Sequence, residues 1–180
     1  MKKTKQPDTI EVVAPKKICL THGKLAIVDV EDFDWLSQWH WFYKPGGYAV
    51  RNQYLGTTGT PKVKRYKRIY MSREILKAPV GLVVDHINHD TLDNRKVNLR
   101  LATHRENSIN SSIRKHSSRY KGVSWKKQYK KWASNIVVYK KQISLGYFDN
   151  EEEAAKIYNE AAKKYFGEFA FVNLLIYENE

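Results

Sequence analysis

Apolar and polar residues alternate with period two in several short stretches and take helical spacing in only a few, which predicts small sheets with short helices rather than a bundle. Lys17-Ile-Cys-Leu-Thr and Lys24-Leu-Ala-Ile-Val flank His22-Gly23 and read as a hairpin, with Cys19 as a buried thiol in its first strand. Glu31 to Gln38 carries acidic residues in its first turn and apolar ones at Phe33 and Leu36, which suits a short helix. Trp39 to Tyr43 and Tyr48 to Arg51 pair around Pro45-Gly-Gly. Gly56-Thr-Thr-Gly-Thr-Pro reads as a loop tip, followed by a basic strand and a helical Met71 to Lys77. Trp35, Trp39 and Trp41 read as a core cluster, and His22 and His40 as structural.

The centre of the chain has a different order. Gly81-Leu-Val-Val-Asp is an apolar run behind Pro79-Val-Gly. A polar loop follows, then Asn98-Leu-Arg-Leu-Ala alternates, and Thr103 with Glu106 three residues on forms a capping box. That is a ββα order, with the helix continuing to about Arg114. Asp90 and Asp93 read as loop polar groups, Asn94 as closing the turn and His89 as a solvated turn residue. In the last third, Trp132, Ser134, Ile136 and Val138 share one strand face, with Ala133, Asn135 and Val137 on the other. Asn150 caps a helix whose Ala154, Tyr158, Ala161, Ala162 and Tyr165 form a stripe, and Gly167 fits the position just past its end. The fold class is α+β. The expected layout is a flexible basic tail over 1–15, a small mixed domain over 16–78, a ββα unit over 79–113 and a linker over 114–117. A three-stranded antiparallel sheet on one helix then covers 118–175, before a tail over 176–180.

Charge narrows the partners. The 180 residues hold 32 Lys plus Arg against 19 Asp plus Glu, a formal charge of +13, which favours nucleic acid. No apolar run approaches the ~18 residues a membrane span needs and no signal-peptide core follows the lysine-rich start, so a soluble, cytoplasmic, non-secreted protein is expected. One cysteine excludes an internal disulfide and a cysteine-rich zinc knuckle. Lys62, Lys64, Arg65, Lys67 and Arg68, interleaved with Tyr66 and Tyr70, read either as a surface that tracks phosphates or as an edge strand protected by lysines.

The ββα order places Asp85 and His86 at the end of one strand, Asn98 at the start of the next and Asn107 on the helix, around one small space. Phosphodiester hydrolysis needs such a set: a base for water of pKa ~15.7 and a hard cation beside the departing alkoxide. Asp85-His86, Asn98 twelve residues after the histidine and Asn107 nine further on resemble the HNH endonuclease motif in its H-N-N form, found among phage and intron-encoded homing nucleases. The resemblance implies a ββα-metal (His-Me finger) site with His86 as general base, Asp85 and Asn107 as ligands of Mg²⁺ or another divalent cation such as Mn²⁺, and Asn98 fixing the loop. His104, one turn before Asn107, is an alternative ligand. Arg95 and Arg100 are available to brace the phosphate. The stretch Leu20 to Leu36 also resembles a leader common in phage HNH proteins.

A second resemblance covers nearly all of the last third. Tyr120-Lys-Gly-Val, Lys131-Trp132, Leu145-Gly-Tyr-Phe, Glu152-Glu-Ala-Ala, Tyr158 with Ala161-Ala162, and Gly167 through Asn173 are similar to the APETALA/ethylene-response-factor DNA-binding domain. It implies a sheet face in the major groove presenting Ser124, Lys126, Tyr129, Asn135, Val137, Gln142 and Ser144, with Lys121 and Lys131 among the phosphate contacts. Because arginines that read guanine are largely absent there, sequence choice by this face should be weaker or different. The function expected is metal-dependent endonucleolytic hydrolysis of double-stranded DNA by nicking, leaving 5′-phosphate and 3′-OH ends. No membrane and no obligate protein partner are implied. The alternatives are a non-catalytic DNA-binding regulator that keeps the nuclease scaffold and, on charge and aromatics alone, an RNA-binding protein.

Overall fold

A computed structural model of the chain describes residues 14–111 and 117–175. The expected tails over 1–15 and 176–180 and most of the linker fall largely outside them; the central helix, expected to run to about Arg114, ends at Asn110, where Ser111 turns to extended backbone at φ −61° and ψ 145°. The chain divides into two compact units, one of Met1–Ala78 with Asp90–Arg100 and one of Pro79–His89 with Leu101–Glu180. The loop of the ββα stretch, Asp90–Arg100, groups with the first unit.

The first unit opens with the antiparallel pair β1 (Lys16–Cys19) and β2 (Leu25–Val28). Alternation turns Ile18 inward with Ala26 and Val28, so Cys19, one residue out of phase, is exposed and not the buried thiol expected. Helix α1 (Val30–Leu36) buries Leu36 completely, and the Leu36 carbonyl accepts from Trp41 Nε1 at 2.8 Å. Of the three tryptophans only Trp41 lies in the core. Trp39 is half exposed under the Arg51 guanidinium, 4.2 Å from its ring, because side chains two apart on an extended segment share a face only while the strand stays regular, and here it begins only at Phe42.

Strands β3 (Phe42–Lys44), β4 (Tyr48–Thr58) and β5 (Val63–Tyr70) form an antiparallel sheet in that order, followed by the short helix α2 (Met71–Ile75). Gly56-Thr-Thr belongs to β4 rather than to a loop tip. The register shifts between Tyr54 and Gly56, and the turn itself is Gly59 to Lys62.

Residues 91–96 are latched onto this unit. Ile27 N donates to Leu92 O and Asn94 N to Ile27 O, both at 2.8 Å, so Asp93 bridges in parallel to Ile27 and extends the β1–β2 pair. Thr91 Oγ1 donates to Gly47 O at 2.6 Å. A Cβ on Gly47, whose φ is +103°, would stand 2.5 Å from that hydroxyl oxygen, which is why the turn carries glycine there.

In the second unit β6 (Val83–His86) forms a two-stranded sheet with β7 (Leu99–Ala102), a strand that runs across the division, and leads through a reciprocal Thr103/Glu106 capping box into α3 (His104–Asn110). The second sheet of this unit is β8 (Val123–Lys126), β9 (Lys131–Val138) and β10 (Lys141–Phe148), antiparallel with β9 central. Helix α4 (Glu151–Phe166) starts where Asn150 Oδ1 accepts from the amides of Glu152 and Glu153, and ends at Gly167 with φ 55°. Ala154, Ala155, Tyr158 and Ala162 pack with Val123, Ile136 and Val138. Full burial of one such branched side chain contributes roughly 1.5–3 kcal/mol. Tyr165 is exposed, and Phe166, one position on, packs instead; the stripe expected through Tyr165 therefore ends one residue away from where its period put it.

Candidate active site

Asp85 and His86 are the last two residues of β6, and both are 5% exposed. A buried carboxylate requires hydrogen-bond donors, and α3 supplies one. Asn110 Nδ2 donates to both Asp85 oxygens, at 3.0 and 2.9 Å, and lies 3.4 Å from the His86 carbonyl. Asn110 is itself 3% exposed. It was not among the residues the sequence pointed to. Its position three after Asn107 is the available signal, since residues three apart share a helix face.

That contact orients α3. At 3.6 residues per turn, Asn107 stands one turn before Asn110, about 60° around the axis. His104 lies about 120° around from Asn110 and is exposed. Asn107 is half-buried, and its backbone N–H closes the first helical turn on Thr103 O at 3.0 Å. The Asp85 carboxylate and the Asn107 side-chain oxygen are the candidate oxygen donors here. One carboxylate with one amide oxygen is a hard set that fits Mg²⁺ or Mn²⁺, with water and phosphate oxygens completing the shell. Among the described residues no group of three or more His, Cys, Asp or Glu is placed to hold a metal, so a closed zinc-type cage of those residues is not present there.

Asn98 lies in the other unit. Its Nδ2 donates to Asp93 O at 2.8 Å and its amide to Arg95 O at 2.9 Å, which closes the loop on itself. Asp93 is 2% exposed and receives Arg95 in two bonds, Nε to Oδ1 at 2.7 Å and Nη2 to Oδ2 at 2.6 Å. The hydrogen bond to Asp93 is the main cause that pushes the Arg95 guanidinium above its ordinary range. Asp93 is thus a buried partner rather than a loop-surface carboxylate. Lys96 donates its amide to Asp29 Oδ2 at 2.7 Å and its ammonium to Glu31 and, at 3.2 Å, to Asp32. Arg100 is half-buried on β7.

On the C-terminal sheet Lys126, Tyr129 and Gln142 are exposed and Asn135 is half-buried. The Lys131 ammonium pairs with Asp149 at 2.9 Å. Lys121 differs from its neighbours. Its ammonium donates to Ile109 O at 2.6 Å and Ser111 O at 2.7 Å, lies 4.9 Å from the Phe171 ring centre, and is brought down by burial to about 8. It is directed into the protein, not outward as a phosphate contact would be.

Comparison with known proteins matches residues 77–109 to a family model described as HNH endonuclease. An uncharacterized HNH endonuclease of Acanthamoeba polyphaga mimivirus is 35% identical over 151 residues, covering 84% of this chain and 75% of the viral one. Protein 3.8 of Escherichia phage T7 is 36% identical over 93 residues, 51% of this chain and 76% of its own length. An AP2-like ethylene-responsive transcription factor of Arabidopsis thaliana is 39% identical over 67 residues, 37% of this chain and 14% of the plant protein. No solved structure matches.

Proposed function

The chain belongs to the HNH endonuclease family, and from that premise we propose that it hydrolyses phosphodiester bonds of double-stranded DNA, one strand at a time, with a divalent cation. The observation that carries the proposal is the buried Asp85-His86 pair, with Asn110 of α3 holding the Asp85 carboxylate and bringing Asn107 to the same helix face.

His86 takes the proton of the attacking water, a task that a neutral imidazole suits near pH 7. Asp85 and Asn107 hold the cation, and Asn110, by fixing both carboxylate oxygens, sets the direction in which Asp85 offers its remaining lone pairs. Asn107 is preferred to His104 because of the face it occupies. A cation bound there supplies charge neutralisation at the phosphate and stabilises the departing 3′ oxygen. Water attack with that leaving group yields 5′-phosphate and 3′-OH ends. Asn98 keeps the loop between the strands closed through Asp93, and Arg95 is the brace of that loop. One site per chain cuts one strand.

The C-terminal sheet and helix are assigned to DNA anchoring in the manner of the APETALA/ethylene-response-factor domain. Lys126, Tyr129 and Gln142 are the contacts on the exposed face, with Asn135 at its centre. Lys131 adds phosphate attraction, tempered by Asp149, and Lys121 is reassigned to holding the end of α3. The test is supercoiled plasmid incubated with the protein and Mg²⁺. Conversion to open circles that is blocked by EDTA, with ends that accept ligation without prior phosphorylation, is expected; plasmid left intact under Mg²⁺ and Mn²⁺ alike contradicts the proposal and favours a DNA-binding regulator.

A further inference from the structure

The hairpin of β4 and β5 runs on past the core of its unit. At its base Val50 and Ile69 are buried, yet from Asn52 to Arg68 every residue except the half-buried Gly56 is exposed. Seven residues on β4 and six on β5, at ~3.3 Å per residue, make an arm about 20 Å long, open to solvent on both faces. No Asp or Glu occurs between Lys44 and Arg73. Tyr54 and Tyr66, both 54% exposed, pair across the arm with ring centres 5.6 Å apart, and Tyr54 Oη shares a 2.7 Å hydrogen bond with Thr57 Oγ1. The register puts Lys64, Tyr66 and Arg68 on the same face as Thr57, Tyr54 and Asn52, while Arg65 and Lys67 stand on the opposite face. Among the described residues no ion pair or hydrogen bond engages the heads of Lys64, Lys67 or Arg68.

We infer that this arm is a DNA-binding element that enters the major groove of duplex DNA. A major groove about 12 Å wide admits a two-stranded ribbon. The tyrosine face, with its amide and hydroxyls, then meets base edges, and the flanking cations reach the phosphate walls. Protection of an edge strand by lysines explains positive charge on β5 alone. It does not explain cations on both faces of the arm, an exposed tyrosine pair on one of them, and the neutral polar surface that β4 supplies opposite. The inference rests on duplex DNA being the substrate, and names where the first unit grips it.

The test uses the full chain in EDTA, so that binding is read apart from cutting, with a fluorescein-labelled duplex titrated at salt concentrations from about 50 to 200 mM. Replacing Lys64→Gln, Lys67→Gln and Arg68→Gln together is expected to reduce the slope of log affinity against log salt by about 2.7, at ~0.9 per lost phosphate contact, so that the native chain's salt-induced loss shrinks roughly 40-fold in the variant. The charge-preserving set Lys64→Arg, Lys67→Arg and Arg68→Lys should keep the native slope. An unchanged slope in the neutral variant overturns the inference. So does an equal loss in the charge-preserving one, or a loss confined to RNA. If the arm proves necessary for binding while plasmid stays uncut, the nuclease reading fails and this one stands.

Discussion

Asn110 Nδ2 reaches both oxygens of Asp85, at 3.0 and 2.9 Å, and so ties the end of β6 to the last residue of α3. Removing the amide in Asn110→Ala leaves a buried carboxylate with less support and lets it turn. Plasmid nicking is expected to fall by about 10–100-fold, with the Mg²⁺ concentration for half-maximal rate rising in step, as outer partners of metal ligands usually show. Asn110→Asp should be worse, because two carboxylates then face each other. A rate-versus-Mg²⁺ titration of both variants checks this.

The Asn98 bond to the Asp93 carbonyl makes a second expectation local to the loop. Asn98→Ala leaves that buried carbonyl without this donor and should cost about 1–3 kcal/mol of stability. The measurement is the urea midpoint of the full chain with unchanged denaturant slope.

Much of this was legible in the sequence because it is local. Asp85-His86, the Thr103/Glu106 box, the Asn150 cap and the alternation of β9 depend on residues within a few positions of one another, and periodicity reports them directly. What was not legible depends on distant partners. Nothing near Asp93 announces that Ile27 will receive its segment as a third strand, or that Thr91 will close on Gly47. Cys19 was misplaced by one step of a two-residue period, and Tyr165 by one residue of helical phase. Lys121 looked like any other surface lysine of a basic chain, because the carbonyls that hold it come from α3 and the residue after it, ten or more positions earlier.

Lys121 predicts a pH dependence. Its folded value of about 8 lies below the ordinary 10.5, so between those limits the unfolded chain binds more protons and stability rises with pH. The cost of keeping the charged form in the fold is present below pH 8 and is relieved as pH climbs toward 10.5. In Lys121→Met that rise should vanish. Urea midpoints of native and variant chains from pH 7 to 10, compared as a difference, isolate this residue from the others.

Gly122 sets a steric limit on the C-terminal domain. With φ at +79°, an added Cβ would stand 2.0 Å from Tyr158 Cδ2 and 2.7 Å from Asn135 O. Gly122→Ala should therefore cost about 2–5 kcal/mol, from backbone strain and overpacking together, seen as a lowered urea midpoint and as weaker duplex binding.

The central claim is that His86 removes the proton from the attacking water. The most direct test compares native and His86→Ala chains, matched for fold by circular dichroism and for duplex affinity in EDTA, in their rate of converting supercoiled plasmid to open circles with saturating Mg²⁺. The account predicts a loss of at least 100-fold in that rate, the lower end of what a positioned general base contributes, with affinity retained. Equal rates for the two chains would contradict it.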